Sequence, residues 1–163
     1  MKLVVDAGPI IALAKIDRLS VVGSLFDEVW LPEVVVHEVL AKPGRETHRI
    51  EAAMRRFLRV ASQPSNLAPH LESFARGLDE GEKSVIALAG TLAPPVSVLM
   101  DDAAGRTLAR RAGLGVLGFA GLLIKGREHG LVDRVVPLML EARARGYWLD
   151  DALIETVRRL TGE

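Results

Sequence analysis

Five carboxylates, three at strand ends and two on apolar helical segments, have the donor type of an oxygen-only metal site. Asp6 follows Leu3, Val4 and Val5 at once and is itself followed by Gly8 and Pro9. Asp101 and Asp102 follow a second apolar run, residues 96–100. Glu38 and Glu82 sit on apolar helical segments, Glu38 between Val36 and Val39 and Glu82 just behind Gly81. Carboxylates gathered in one place repel, and burial raises their pKa values. A divalent cation relieves both costs, and oxygen donors alone suit Mg²⁺ or Mn²⁺. Such a cluster can activate water and stabilise a phosphoryl-transfer transition state. Each acid also has a plainer role open to it. Asp102 fits a helix N-cap, Glu82 complements a helix dipole, and any of them can be a solvated charge. Asp6, at a strand end beside Gly-Pro, has no such obvious partner.

The elements needed to position these groups are legible. Residues 3–5 form a short buried strand, and Pro9 opens a helix over residues 9–16. A helix over residues 19–25, a strand over 28–31 and a helix from Pro32 stopped by Lys42, Pro43 and Gly44 follow. Val34, Val35, Val39 and Leu40 give that last helix its apolar side. An amphipathic helix covers residues 45–58, with Ile50, Ala53, Met54 and Phe57 at helical spacing. Then come a strand over 58–61, a loop over 62–69, a helix over 71–78 and a stronger helix over 80–92. A strand over 96–100 leads to a helix over 102–112 that Gly113 ends. A strand over 115–117 and helices over 120–129, 131–145 and 150–160 complete the chain. Buried strands alternating with helices imply an α/β fold, a three-layer α/β/α sandwich around a short parallel sheet. In such a sheet all strand C-termini lie on one edge, where open α/β proteins place their sites. At 163 residues, without repeats or a linker, the chain reads as one domain over residues 1–163.

Composition narrows the function classes. Twenty-one basic residues balance 21 acidic ones, so no global field draws the chain to nucleic acid or membrane and such binding needs a local patch. The absence of cysteine removes disulfides, thiolate metal sites and cysteine nucleophiles, and fits the cytoplasm. No leader or membrane span is expected, because the longest uncharged run, residues 84–100, is broken by Gly90, Pro94 and Pro95. Residues 113–118 match G-x-G-x-x-G, but a helix rather than a strand precedes them, so the dinucleotide motif fails. His37 and Glu38 begin H-E-x-x-H, but Ala41 ends it. The four histidines, at 37, 48, 70 and 129, have no ligand spacing. Arg106 and Arg110, four apart on one helix, are the candidate phosphate contacts. Arginines 45, 49, 55, 56 and 59 form a second basic group, and Lys125, Arg127 and His129 a third. Few aromatics are expected at the surface to stack on bases.

Four segments together resemble the PIN-domain nucleases, in particular a branch related to VapC-type toxins. They are residues 4–14 (VVDAGPIIALA), 31–39 (LPEVVVHEV), 79–89 (DEGEKSVIALA) and 99–106 (LMDDAAGR). The resemblance implies a helix-covered parallel sheet, an acidic Mg²⁺ or Mn²⁺ site and hydrolysis of RNA phosphodiesters. It also implies a homodimer and an antitoxin protein as partner. Asp6 would be the first acid, Glu38 the second and Glu82 the third, with the fourth in the Asp101–Asp102 pair, Asp102 favoured. Two positions depart from the family pattern: Gly8 and Phe119 stand where many relatives carry a hydroxyl residue. Those departures, with zero net charge, support an alternative, a catalytically weak or inactive PIN-like module that binds nucleic acid or protein. A phosphatase or nucleotidase using the same acids is a third reading.

Overall fold

The computed structural model describes residues 1–63 and 65–163. Pro64, within the loop expected over residues 62–69, lies outside the described residues. Among those residues five strands form one sheet in the order β3-β2-β1-β4-β5, every neighbouring pair parallel. The strands are β1 (Lys2–Val5), β2 (Glu28–Pro32), β3 (Leu58–Ala61), β4 (Val96–Leu99) and β5 (Gly115–Leu117). β1 lies at the centre. Leu3, Val4 and Val5 have no exposed surface, because successive side chains point to opposite faces and both faces are covered. The alternation of strands and helices therefore yields the α/β sandwich expected from the pattern.

Ten helices among the described residues supply the crossovers and the outer layers. They are α1 (Ala7–Lys15), α2 (Leu19–Leu25), α3 (Glu33–Ala41), α4 (Thr47–Arg56), α5 (Pro69–Glu72), α6 (Glu80–Thr91), α7 (Ala103–Arg111), α8 (Phe119–Glu128), α9 (Val135–Ala144) and α10 (Asp151–Thr161). α6 crosses β1, β2 and β4 and leans on α7, while α2 packs on α4 and α8. The chain steps from β1 through β2 to β3, then crosses to β4 on the other side of β1. Right-handed crossovers then put the two helix groups on opposite faces. A single contiguous core runs through these layers.

Local differences from the sequence pattern have simple causes. The helix expected over residues 71–78 is only α5. Gly77 adopts a left-handed φ of +90°; Leu71 reaches the core from α5, and Ala75 and Leu78 from the irregular segment after it. The helix expected from residue 131 begins at Val135, where Glu163 accepts hydrogen bonds from the Val135 and Val136 N–H groups (2.8 and 2.9 Å). On α3, Val35 and Val39 are buried but Val34 is 42% exposed, so the apolar side is narrower than four residues. Among the described residues no helix is long and apolar enough to cross a membrane.

Candidate functional site

The site forms at the carboxyl edge of the sheet, at its topological switch point. After β1 the Asp6 N–H still donates to the Leu99 carbonyl (3.0 Å), and only then does the chain turn into α1. Asp6 holds the N-cap position with extended backbone (φ −90°, ψ 160°), yet its side chain makes no cap bond. The carboxylate is therefore not used up in holding the helix. Beside it, β4 continues through a Met100 N–H bond to the Leu117 carbonyl (3.0 Å) and delivers Asp101 and Asp102. The crevice between β1 and β4 is where the direction of strand addition reverses, the place where open α/β sheets bind ligands.

Two helices bring the other acids. Glu38 projects from α3, which packs against α6. Glu82 lies in the first turn of α6, where a capping box fixes it: its Oε2 accepts from the Asp79 N–H (3.0 Å), and its own N–H donates to Asp79 Oδ1 (2.8 Å). Gly81 is the pivot. A β-carbon there would stand 2.9 Å from Glu38 Oε2, 3.3 Å from Asp79 Oδ1 and 3.8 Å from Asp6 Oδ1. Three carboxylates thus converge on one point that only the lack of a side chain leaves open. Asp79 was missed in the sequence, although its signal is there: an Asp three residues ahead of a Glu is a capping box.

Asp6, Glu38, Glu82, Asp101 and Asp102 line one cleft of about 590 Å³, with Arg106 in the same wall. The structure brings Arg106 to the cleft and leaves Arg110 exposed outside it. The Arg106 Nε is buried without a hydrogen-bond partner among the described residues. The two adjacent aspartates differ. Asp102 caps α7, with Oδ2 accepting from the Gly105 N–H (2.7 Å). Asp101 has both oxygens engaged: Oδ1 accepts from the Phe119 N–H (3.0 Å) and Oδ2 from the Tyr147 hydroxyl.

The same cleft is lined by Tyr147, Trp148, Leu149 and Leu153, none of which the sequence pattern assigns to the site. The Tyr147 ring lies 5.0 Å from that of Phe119, tilted by 59°. A β-carbon on Gly8 would meet its Cε2 at 3.8 Å. The phenol therefore stands between the two positions at which hydroxyl residues were expected. Nothing in the local sequence around residue 147 signals this, since the contacts span the whole chain.

Electrostatics mark the cluster as uncompensated. Burial pushes Asp6 up to about 7; the Ala7 N–H opposes this, and the charges of Glu38, Asp79 and Glu82 add to it. Glu38 is raised by desolvation and then by Asp79. Glu82 is raised by desolvation, against the Asp79 N–H, and further by Asp79, Asp102 and Glu38. Tyr147 is raised by burial and by the charge and hydrogen bond of Asp101, so its hydroxyl stays a donor. Even so, among the described residues no three Asp, Glu or His side chains are gathered tightly enough to form a closed metal cage.

The family model DUF3368, a PIN domain, matches residues 2–163. No curated protein matches the chain. Among solved structures it is similar to a PilT N-terminus domain protein from the hyperthermophilic archaeon Sulfolobus solfataricus P2. That likeness has 18% identity and a TM-score of 0.52, and covers 79% of this chain and 96% of the other. At such identity it concerns the fold. With a family match over nearly the entire chain, and the central parallel sheet and acid-lined carboxyl edge to accompany it, the protein belongs to the PIN-domain family, whose members are generally nucleases that use divalent metals.

Proposed function

We propose that this PIN domain is a metal-dependent endoribonuclease of the VapC-like kind, hydrolysing RNA phosphodiester bonds at its acidic cleft. One observation carries this reading: acids from two strand ends and two helices line one cleft, Asp6 and Glu38 meet Asp79 at Gly81, and no cation of the protein answers Asp6, which is pushed up to about 7. The donor set fits a hard divalent cation, being all oxygen and short of positive charge. Asp6, Glu38, Glu82 and Asp102 would hold it, and Mg²⁺ or Mn²⁺ suits those donors. Bound there, the ion would neutralise the carboxylates and act as a Lewis acid toward a phosphoryl oxygen.

The protein's own groups supply the rest. Arg106, in the wall of the cleft, is the cation placed to meet a backbone phosphate. Asp101 is held by Phe119 and Tyr147 and orients the wall rather than offering a free oxygen. The same reading extends to a cytoplasmic setting, a homodimer and an antitoxin partner. The test is cleavage of a mixed RNA pool with and without Mn²⁺, using Asp6→Asn as control. Metal-dependent cleavage lost in the variant is the expected result; equal cleavage by both proteins would overturn the role of Asp6. Comparing RNA with small phosphate esters separates the phosphatase reading.

The open arrangement of the acids favours a second reading, a PIN-like module that binds nucleic acid or protein without cleaving. A thermal-shift titration with Mn²⁺ separates the two. Stabilisation that Glu38→Gln abolishes marks a working metal site, and no shift marks the binding module.

A further inference from the structure

We propose that Trp148 is a stacking platform for one unpaired nucleobase of a single-stranded RNA whose phosphates run between Arg106 and a basic cleft beside residue 145. This rests on the RNA-cleaving reading for the identity of the ligand. Its observations are separate from the acids.

Trp148 is 80% exposed, the most exposed large apolar side chain among the described residues, and it lines the mouth of the acidic cleft. Its exposure does not follow from a loose segment. On one side Tyr147 is pinned by Asp101 and by the Phe119 ring. On the other, Leu149 is buried (7% exposed) and Asp150 caps α10 by accepting from the Leu153 N–H (2.6 Å). An indole on a backbone anchored on both sides presents an open π-face, which any base can use regardless of sequence.

The charges on either side suit a nucleic-acid strand. Arg106 is in the wall of the acidic cleft with its Nε unpartnered. Three residues before Trp148, Arg145 lines a second cleft of about 320 Å³ with Lys15, Arg45, Arg49 and Glu46; Arg49 also faces Asp17 (3.4 Å) and Arg145 faces Glu141 (2.8 Å), while Lys15 and Arg45 form no ion pair among the described residues. The two clefts are joined by the chain itself. Lys15 Nζ donates to the Arg145 carbonyl (3.0 Å), and a β-carbon on Gly146 would lie 4.0 Å from that nitrogen. Three residues span at most about 11 Å, so the aromatic face and the second cationic cleft lie within reach of one short oligonucleotide. An apolar protein partner would use Trp148 but would have no use for cations on both sides of it. Zero net charge over the whole chain makes this local pairing of a flat face with cations the more telling.

The experiment is a titration of the metal-free protein, in EDTA, with single-stranded RNA octamers, read by tryptophan fluorescence and anisotropy. The only other tryptophan, Trp30, is half-buried and bonded to Glu28 (2.9 Å), and Trp148→Phe supplies its background signal. The indole should be quenched by the octamers, and much less by an abasic octamer of the same charge. Trp148→Ala should weaken binding roughly 10- to 100-fold, with Trp148→Phe restoring most of it. Equal binding by Trp148→Ala and wild type would overturn the proposal. So would quenching by the abasic strand as strong as by RNA, or a Trp148→Ala effect confined to self-association in size-exclusion chromatography. Cleavage assays keep the two readings apart. If wild type cleaves nothing but base-dependent quenching persists, the hydrolase fails and the platform stands. If wild type cleaves and Trp148→Ala binds and cleaves equally well, the platform fails and the hydrolase stands.

Discussion

Two carboxylates in this molecule share a setting and differ in treatment. Glu163 and Asp6 are each withdrawn from water beside the start of a helix. Burial opposes ionisation of Glu163, whose side chain is 4% exposed, but it accepts from the N–H groups of Val135 and Val136 and lies near Arg127 (3.7 Å) and Arg134 (3.9 Å). Those partners hold it below the usual carboxylate range. Asp6 is also withdrawn from water, but without the compensation: the Ala7 N–H is outweighed, and its charged neighbours are Glu38, Asp79 and Glu82. One carboxylate completes the structure, and the other is left uncompensated by the protein's own groups. A fold that neutralises Glu163 so thoroughly shows what a structural acid looks like here, and Asp6 does not look like one.

The largest effect should fall on chemistry at Asp6. Asp6→Asn keeps the shape and removes the charge, so Mn²⁺-dependent RNA cleavage should drop at least about 100-fold, while the thermal midpoint without metal is held or raised. A fall in that midpoint would class Asp6 with Glu163. Next comes the pH dependence of stability in EDTA. Unfolded, Asp6 titrates near 3.8; folded, near 7. Below the lower value both states hold the proton. Between the two, the folded protein keeps a proton that the unfolded chain releases, so stability falls as pH rises. Above about 7 the loss is complete, at no more than about 4 kcal/mol. Urea midpoints at pH 5 and pH 8 should show this loss in wild type, a smaller one in Asp6→Asn, and partial recovery with Mn²⁺ at pH 8.

Glu163 should behave in the opposite sense. Its depressed pKa contributes stability above the unfolded value that is lost as pH falls through the folded one. Glu163→Ala should cost about 2 kcal/mol, from two lost charge-assisted cap bonds, or roughly 4–8 °C in thermal midpoint. RNA cleavage per folded molecule should be unchanged. Loss of cleavage at full stability would mean that α9 and α10 steer the cleft in a way the contacts do not convey.

How much of this was legible in the sequence divides along the same line. The run at residues 3–5 is apolar throughout, and that at 96–100 apolar but for Ser97, because both sheet faces are covered, so the parallel sheet, its carboxyl edge and the positions of Asp6, Asp101 and Asp102 follow from local pattern. The bounds of α2, β3 and β5 match residue for residue, β5 being set off by Gly113 and Gly118. Asp79 was within reach through its capping-box spacing. Tyr147 and Trp148 were not. Tyr147 meets Asp101 across 46 residues, and no periodicity or motif marks a turn that closes a distant cleft. The expectation of few stacking aromatics was sound by count and blind to place, since one exposed indole sits at the mouth of the site.

The smallest predicted effect resolves the Asp101–Asp102 pair, which the sequence left open. Asp101 resembles Glu163 in having its oxygens satisfied from within, by the Phe119 N–H and the Tyr147 hydroxyl. Asp102 resembles Asp6, since it spends one oxygen on the Gly105 N–H, lies near enough to Glu82 to raise it, and keeps the other oxygen free of protein donors among the described residues. Tyr147→Phe deletes one bond and keeps the ring on Phe119, so it should cost about 1 kcal/mol, roughly 2–4 °C, and lower cleavage only about 5-fold. Asp101→Asn should do much the same. Asp102→Asn should leave stability nearly intact, because Asn also caps helices, yet remove the Mn²⁺-induced thermal shift. If Asp101→Asn instead loses the metal shift while Asp102→Asn keeps it, the roles of the neighbours are exchanged. The Tyr147 hydroxyl would then be holding a metal ligand rather than a wall.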